Sequence, residues 1–302
     1  MIVKGFLNIK KPTGVSSSLI VQKVKRVLCG ACGEKQKVGH FGTLDPLASG
    51  VLPIAIGKAT RLFDYAQAKV KVYKATFKFG VETDTLDRGG SVTAVDDKIV
   101  SKQDILSVIG GQIGKIDQIP PQYSAKSVGG KRAYQIARAG EAVELKPKQV
   151  EIYDFKLIDD VDGKVVFEDG EHTLDKNEFA FEIACSSGTY IRAIARDLAH
   201  ALGTVGFMSS LVRTSSGRFS YENAVSFEDF EKNPLEYILP IEFVTDAFTT
   251  YDLDEKLADK ALNGIKLGLT DMPNGEFVVK INGEVVGIAE NLSSVLKFKT
   301  RL

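Results

Sequence analysis

The sequence has no tryptophan, only three cysteines and no net charge, because 39 Lys and Arg residues balance 39 Asp and Glu residues. A small, odd number of cysteines argues against a disulfide framework and fits a reducing compartment. No stretch approaches the roughly 18 consecutive apolar residues of a membrane helix. The first residues also lack the apolar segment of a secretion signal. We therefore expect a cytoplasmic protein with no membrane partner.

Metal-ligating residues are scarce and scattered. Cys29 and Cys32 have the CxxC spacing of half a zinc or redox site, but no second CxxC exists. His172 and His200 have no ligand spacing relative to them. The sequence therefore predicts no metal site.

The charges are unevenly distributed along the 302 residues. Residues 1–80 contain 14 Lys and Arg but only three acidic residues, so the remaining chain has 25 basic and 36 acidic residues. Such asymmetry indicates one face that follows a phosphate backbone and an acidic remainder. The alternative is a solvated surface on which like charges happen to cluster.

Hydrophobic periodicity predicts alternating strands and helices in the first 246 residues. The strands are expected at 5–10, 72–79 and 179–185. Helices are expected after Ser16, Ser101 and Tyr190, ending at Gly30, Gly110 and Gly203. The acidic stretch 159–178 is expected to be a hairpin that lies away from bound RNA.

The C-terminal part reads as a separate, compact unit. Helical character lapses around Pro234 and Pro240, and a short helix is then expected at 255–262. Two β-rich runs at 277–281 and 285–289 are joined by Asn282-Gly283, a strong signal for a hairpin. We therefore divide the chain into domains 1–246 and 247–302.

The stretch GHFGTLDPLASGVLP, residues 39–53, has a simple local interpretation. Asp45 would cap a short helix that Pro46 begins and Gly50 ends, and His40 would be a structural or surface histidine. Three glycines in this stretch nevertheless indicate a backbone that something bulky approaches closely. The local pattern alone leaves both interpretations open.

Motifs along nearly the whole chain resemble those of the TruB-type bacterial tRNA pseudouridine-55 synthases. Besides residues 39–53 they are Lys11-Pro12-Thr13-Gly14, Tyr73-Lys74, residues 80–85 with Asp87, residues 119–125, residues 130–134, residues 187–192, and Leu211 with Arg213-Thr214. The resemblance implies an α/β (α+β) fold with a mixed, mainly antiparallel sheet flanked by helices. It also implies a small C-terminal PUA-like β domain that binds RNA. The alternative for this unit is a β appendage that only stabilises the protein.

The same resemblance implies isomerisation of uridine to pseudouridine at position 55 of tRNA, with Asp45 as the catalytic carboxylate. Whether that carboxylate attacks C1′, adds to C6 or removes a ribose proton is left open. Arg192 would pair with Asp45, and Tyr73 would stack on the uracil and assist proton transfer at C5. Without the resemblance, Arg192 would be an exposed helical arginine and Tyr73 a core residue. This chemistry requires neither a metal nor a redox cofactor.

Base flipping makes the target uridine accessible. By resemblance, His40 would fill the vacated space, while Tyr190 and Leu211 would line the base pocket. Two residues depart from the family pattern: Phe41 replaces a small polar residue, and Ser127 replaces a lysine.

The expected partner is the T-arm of tRNA, bound by a monomer with no obligate protein partner. The alternatives are a non-catalytic RNA binder or tRNA-folding chaperone, and a related synthase that partner proteins guide to another RNA.

Overall fold

The structure is a computed structural model that describes residues 3–67, 69–124, 145–269 and 272–302, together with 127–128, 130–132 and 136. Some sequence motifs therefore lie partly outside the described residues, at Ala125, Ala133 and Tyr134. At Ser127 only the backbone is described, within a short strand.

The strands are β1 Gly5–Lys11, β2 Val38–His40, β3 Ser49–Ile56, β4 Val70–Phe79, β5 Val81–Thr83, β6 Val92–Val95, β7 Gly114–Gln118, β8 Ser127–Val128, β9 Lys131–Arg132, β10 Lys148–Ile158, β11 Lys164–Phe167, β12 Gly170–Thr173, β13 Glu178–Ser186, β14 Gly206–Ser216, β15 Phe219–Ser220, β16 Thr250–Asp252, β17 Leu267–Gly268, β18 Gly275–Ile281, β19 Glu284–Leu292 and β20 Val295–Arg301. The α-helices are α1 Ser17–Cys32, α2 Phe63–Ala66, α3 Lys102–Val108, α4 Ile191–Ala201, α5 Phe227–Lys232, α6 Glu242–Thr245 and α7 Ala258–Leu262. Short 3-10 helices occupy Gly57–Leu62, Ile109–Gln112 and Glu255–Leu257. Among the described residues, no helix has the length and apolar character needed to cross a membrane.

A large mixed sheet forms the centre of the molecule. Its strand order is β1-β3-β14-β4-β13-β10-β7, with β2 paired to β3 and β15 paired to β14. The β3–β14 pair is parallel, whereas the long β4 pairs antiparallel with both β13 and β14. This mainly antiparallel sheet with flanking helices confirms the predicted fold class.

Alternation of side chains along β4 separates the two faces of this sheet. Tyr73 and Phe77 face a buried core that also contains Ile194 and Leu198 of α4. Lys74 faces the opposite side, because successive side chains of a strand point to opposite faces. Helix α4 thus covers the same face of the sheet to which Tyr73 belongs.

Two of the predicted helix ends are wrong. Helix α1 is capped by Ser16 as expected, but it continues through Gly30 and ends at Gly33, which has a φ of 74°. A left-handed residue at the helix end favours glycine, so the conformation at Gly33 decides the terminus. Helix α3 has the predicted capping box at Ser101, and its chain continues through Gly110 as a 3-10 turn.

The acidic stretch 159–178 forms the predicted hairpin, with β11 paired to β12. The hairpin folds back onto the sheet face opposite α4. Asp169 accepts a hydrogen bond of 2.6 Å from Ser49, and Glu168 forms a 2.7 Å ion pair with Lys74. Part of the positive charge of residues 1–80 is therefore neutralised within the protein.

A second sheet at the C-terminus has the order β16-β18-β19-β20-β17. Asn282 and Gly283 connect β18 to β19 with φ angles of 52° and 80°, which confirms the predicted hairpin. The predicted helix at 255–262 is a 3-10 turn followed by α7. Val278 and Ile288 of this sheet share a buried cluster with Phe6 and Val51 of the main sheet.

Candidate active site

Asp45 lies in the loop between β2 and β3. One local interpretation of the sequence placed a short helix here, but the loop contains a turn. Ala48 donates its backbone N–H to the Asp45 carbonyl over 3.1 Å, and the chain then enters β3 directly. The helix-cap interpretation of Asp45 is therefore wrong, and Gly50 lies inside a strand.

A buried serine holds this loop in place from a distant part of the sequence. The Leu44 N–H donates to Ser17 Oγ over 2.9 Å, and that hydroxyl donates to the Leu44 carbonyl over 2.8 Å. Because Ser17 begins α1, the backbone before Asp45 is tied to the helix. The Asp45 carboxylate itself stays accessible, with 39% of its side chain exposed.

Gly50 allows β14 to lie directly beside this loop. Gly50 pairs with Arg213 in the parallel β3–β14 ladder, and its φ is 99°. A Cβ at this position would lie 2.3 Å from the Arg213 carbonyl oxygen, well inside the van der Waals contact distance. Only glycine fits both the conformation and the spacing. Gly50 of the motif therefore allows the backbone of β14 to approach β3 closely.

Arg192 links the Asp45 loop to the core of the sheet domain. Its Nη2 lies 3.0 Å from Asp45 Oδ2, and its Nη1 lies 3.4 Å from Asp87 Oδ2. The guanidinium also donates to the carbonyls of Thr85 over 2.8 Å and Tyr123 over 3.0 Å. Only 7% of the Arg192 side chain is exposed. Arg192 is thus a buried residue in the first turn of α4 that contacts two carboxylates and two backbone carbonyls. It is not an exposed helical arginine.

Asp87 is a component of this cluster that sequence reasoning did not place there. Its Oδ1 accepts hydrogen bonds from the Thr85 hydroxyl over 2.7 Å and from the Gly89 N–H over 3.0 Å. Its other oxygen faces Arg192. The sequence offered one clue that Asp87 belongs to this cluster. Asp87 ends the motif that begins at Gly80, and the same motif supplies the Thr85 carbonyl.

Tyr73 and Leu211 lie side by side on the same face of the sheet. Leu211 pairs with Ala75, and both Tyr73 and Leu211 are 7% exposed. Burial raises the pKa of Tyr73, and the nearby positive charge of Arg213 opposes that effect. The Tyr73 phenol is therefore neutral at physiological pH.

These side chains border one open cavity of about 260 Å³. That volume is close to the lower end of small-ligand sites, about 300 Å³. The residues predicted for the site that line it are Asp45, Tyr73, Tyr190, Arg192 and Leu211. Gly42, Lys71 and Ser187 also line it and were not predicted. The cavity thus presents an accessible carboxylate paired with a guanidinium, an aromatic ring and an apolar side chain.

His40 and Phe41 lie outside this lining. His40 ends β2 as a half-buried residue, and burial lowers its pKa, with a smaller contribution from Arg213. Its Nδ1 is buried and has no hydrogen-bond partner among the described residues. Phe41 packs instead in an aromatic core, with its ring centroid 5.7 Å from that of Phe6. The departure at Phe41 is therefore accommodated by packing outside the cavity.

The chain matches two family models, in order along the sequence. Residues 30–191 match the TruB family pseudouridylate synthase N-terminal domain, and residues 192–258 match the tRNA pseudouridylate synthase B C-terminal domain. The chain belongs to the TruB family of pseudouridylate synthases. The first match contains Asp45, Tyr73 and Asp87, and the second begins at Arg192.

Curated relatives support the same assignment over most of the chain. A protein of Rickettsia bellii named tRNA pseudouridine synthase B is 39% identical, covering 94% of this chain and 92% of its own length. One of Clostridium kluyveri with the same name is 36% identical, covering 87% of this chain and 85% of its own length.

Two solved structures share the fold at low sequence identity. A chain of an H/ACA RNP bound to a substrate RNA containing 2′-deoxyuridine aligns with a TM-score of 0.69 and 20% identity, covering 98% of this chain and 84% of that chain. A chain of the archaeal box H/ACA sRNP Nop10-Cbf5 complex aligns with a TM-score of 0.67 and 21% identity, covering 98% and 85%.

Proposed function

We propose that this protein isomerises uridine to pseudouridine at position 55 in the T-loop of tRNA, with Asp45 as the catalytic carboxylate. The observation that carries the proposal is the accessible Asp45 carboxylate, held 3.0 Å from the buried Arg192 guanidinium in a cavity that Tyr73 also lines. Membership of the TruB family supports the reaction class.

The proposed reaction rearranges the nucleotide without net addition or loss of atoms. The C1′–N1 bond breaks, the uracil rotates, a C5–C1′ bond forms, the proton leaves C5 and N1 is protonated. Arg192 pairs with the Asp45 carboxylate over 3.0 Å and orients it toward the ribose, because a charge-assisted hydrogen bond has a defined geometry. We assign Tyr73 to stacking on the uracil and to proton transfer at C5, and Tyr190 and Leu211 to lining the base pocket.

RNA recognition follows from the same proposal. The target uridine must leave its stack before it can enter a cavity of this kind. His40 is assigned to the space that the base vacates; it ends β2, two residues before Gly42 of the cavity lining. We assign residues 1–246 to catalysis and 247–302 to a PUA-like RNA-binding domain. We infer that the protein acts on the T-arm as a cytoplasmic monomer without an obligate protein partner.

The test uses purified protein and an unmodified tRNA transcript that carries tritium at C5 of its uridines, since isomerisation releases that tritium to water. We expect release by the wild type without added metal or nucleotide, and none from a transcript with cytidine at position 55. Asp45→Asn should bind the transcript and release no tritium, whereas Asp64→Asn, a control with the same charge change, should stay active.

Three results would contradict parts of this proposal. Full activity of Asp45→Asn would refute the catalytic assignment. Equal release from the cytidine-55 transcript would refute the T-loop position. A wild type that binds and refolds tRNA but releases no tritium would support the alternative of an RNA chaperone.

A further inference from the structure

We propose that Lys71 and Arg213 form a binding site for one phosphodiester of the RNA, beside Gly42 in the lining of the active-site cavity. This inference rests on the proposed function, because it assumes an RNA nucleotide in the cavity. It assigns two buried cations that the proposed isomerisation leaves without a role.

Lys71 belongs to β4 and lies on the same face of the sheet as Tyr73, two residues before it in the strand. It is only 5% exposed, although it is a lysine, and it lines the cavity together with Gly42 and Ser187. Lysine is almost never fully buried unless it is paired. A buried ammonium that borders a cavity therefore requires an electrostatic explanation.

Arg213 of β14 brings a second positive charge to the same place. It is fully buried, with Nε donating to the Val51 carbonyl over 2.8 Å and Nη2 donating to the Gly42 carbonyl over 3.1 Å. Its Nη1 is buried and has no hydrogen-bond partner among the described residues. A Cβ on Gly42 would lie 2.8 Å from Lys71 Nζ and 3.6 Å from Arg213 Nη1, so both cations face Gly42.

Among the described residues, no carboxylate forms an ion pair that balances these charges. Within the described residues, neither Lys71 nor Arg213 forms an ion pair, and Asp45 and Asp87 are both paired with Arg192. Burial lowers the pKa of Lys71 to about 8, and repulsion by Arg213 and Lys148 adds to the effect. The Cys185 thiol beside Lys71 is no counterion, since burial raises its pKa to about 11. Within the described part of the chain, the charge balance therefore calls for an external anion.

A phosphodiester fits the chemistry and the position of this site. It carries one negative charge shared by two non-bridging oxygen atoms, which match the Lys71 ammonium and the Arg213 Nη1 group. Ser187 also borders the cavity, and its hydroxyl oxygen accepts a hydrogen bond of 3.1 Å from Gln67, so its proton is available to the same ligand. A nucleotide whose ribose lies at Asp45 brings its flanking phosphates along the same cavity.

The experiment is a double-substitution cycle between one lysine and one RNA linkage. A fluorescent T-arm stem-loop is made with a neutral methylphosphonate in place of the phosphodiester on the 5′ side of the target uridine, and then on the 3′ side. The adjacent 2′-hydroxyls are methylated in every RNA of the set, and Kd is measured by fluorescence anisotropy at constant salt. We expect one of the two neutral linkages to weaken wild-type binding by about tenfold or more.

In Lys71→Met, the same neutral linkage should change the Kd by less than about twofold. The ammonium that the phosphodiester contacts in the wild type is already absent from this variant. Lys69→Met is the matched control, since it removes a charge just before β4 and should keep the full linkage effect. Lys71→Gln serves as the second variant if thermal unfolding shows that Lys71→Met is not folded.

An equal loss in Lys71→Met and wild type, or no loss with either linkage in the wild type, would overturn the phosphate site. Tritium release from the wild type with unmethylated stem-loop is measured in parallel. Release without the linkage effect refutes only this site, whereas the linkage effect without release refutes only the proposed isomerisation.

Discussion

Removal of the Arg192 guanidinium is the perturbation for which the structure makes the sharpest prediction. Arg192→Met keeps an unbranched side chain of similar length in the first turn of α4 but removes four polar contacts. Asp45 and Asp87 lose their cation, and the carbonyls of Thr85 and Tyr123 lose a donor. The substitution thus affects both stability and the placement of the proposed catalytic carboxylate.

The magnitude follows from the burial of each group. Breaking a buried ion pair by removing one partner costs about 3–5 kcal/mol. Because 39% of the Asp45 side chain is exposed, water relieves part of that cost, and we expect about 3 kcal/mol of lost stability. For a domain of this size, this corresponds to a fall in Tm of about 6–12 °C. Misplacement of the carboxylate should lower the rate by about 100-fold or more.

Two measurements on the same protein check this prediction. Thermal unfolding gives the loss of stability, and tritium release at a temperature where the variant is folded gives the rate. Arg192→Lys should recover part of the stability and little of the rate, because an ammonium cannot reach four oxygen atoms in the plane of a guanidinium. Arg196→Met is the control one turn further along α4, where the side chain contacts Asp197 and the Ile119 carbonyl outside the cavity.

Near-normal stability and activity of Arg192→Met would refute the reasoning, since it would mean that the carboxylates need no buried cation. Equal effects of Arg192→Met and Arg196→Met would also contradict the reasoning, because the loss would then not depend on the contacts of Arg192 with Asp45 and Asp87.

Two further predictions concern the backbone and the pH dependence. Gly50→Ala should lose about 3 kcal/mol or more in urea unfolding, because its Cβ would overlap the Arg213 carbonyl and its φ is positive, whereas Gly39→Ala meets no atom within 4 Å and should change little. An unfolding midpoint equal to that of Gly39→Ala would count against this packing. With a pKa of about 8, the Lys71 ammonium is present below that pH and lost above it, so wild-type RNA affinity should fall between about pH 7 and about pH 9. Lys71→Met should show a shallower pH dependence at the same ionic strength, and parallel curves would exclude Lys71 as the titrating group.

Local features were predicted well where short-range physics decides them. The Ser101 capping box and the Asn282-Gly283 hairpin each depend on a few neighbouring residues. Alternation along β4 likewise assigned Tyr73 to the apolar face. The predicted end of α1 at Gly30 was wrong. Gly30 and Gly33 are equally able to end a helix, and only the backbone conformation distinguishes them.

The site required contacts between distant parts of the chain. Asp45 resembles a helix cap in sequence, yet the bond between Leu44 and Ser17, 27 residues apart, holds its loop as a turn before β3. The identity of the motif residues indicated Asp45, Tyr73 and Arg192 only through the family resemblance. Nothing in their local spacing predicted that Arg192 would be buried against two carboxylates.

The sequence by itself determined local features, such as the capped helix starts, the alternation along β4 and the Asn282-Gly283 hairpin, and the inventory of reactive groups, because capping, side-chain alternation and turn preferences act over a few residues. The tertiary structure decided which of those groups meet. Arg192 of α4 reaches Asp87 across 105 positions, and Arg213 of β14 reaches Gly42 across 171. Charges that are separated along the chain acquire a common environment only when the sheet closes around them, and neither their burial nor their pairing is encoded locally.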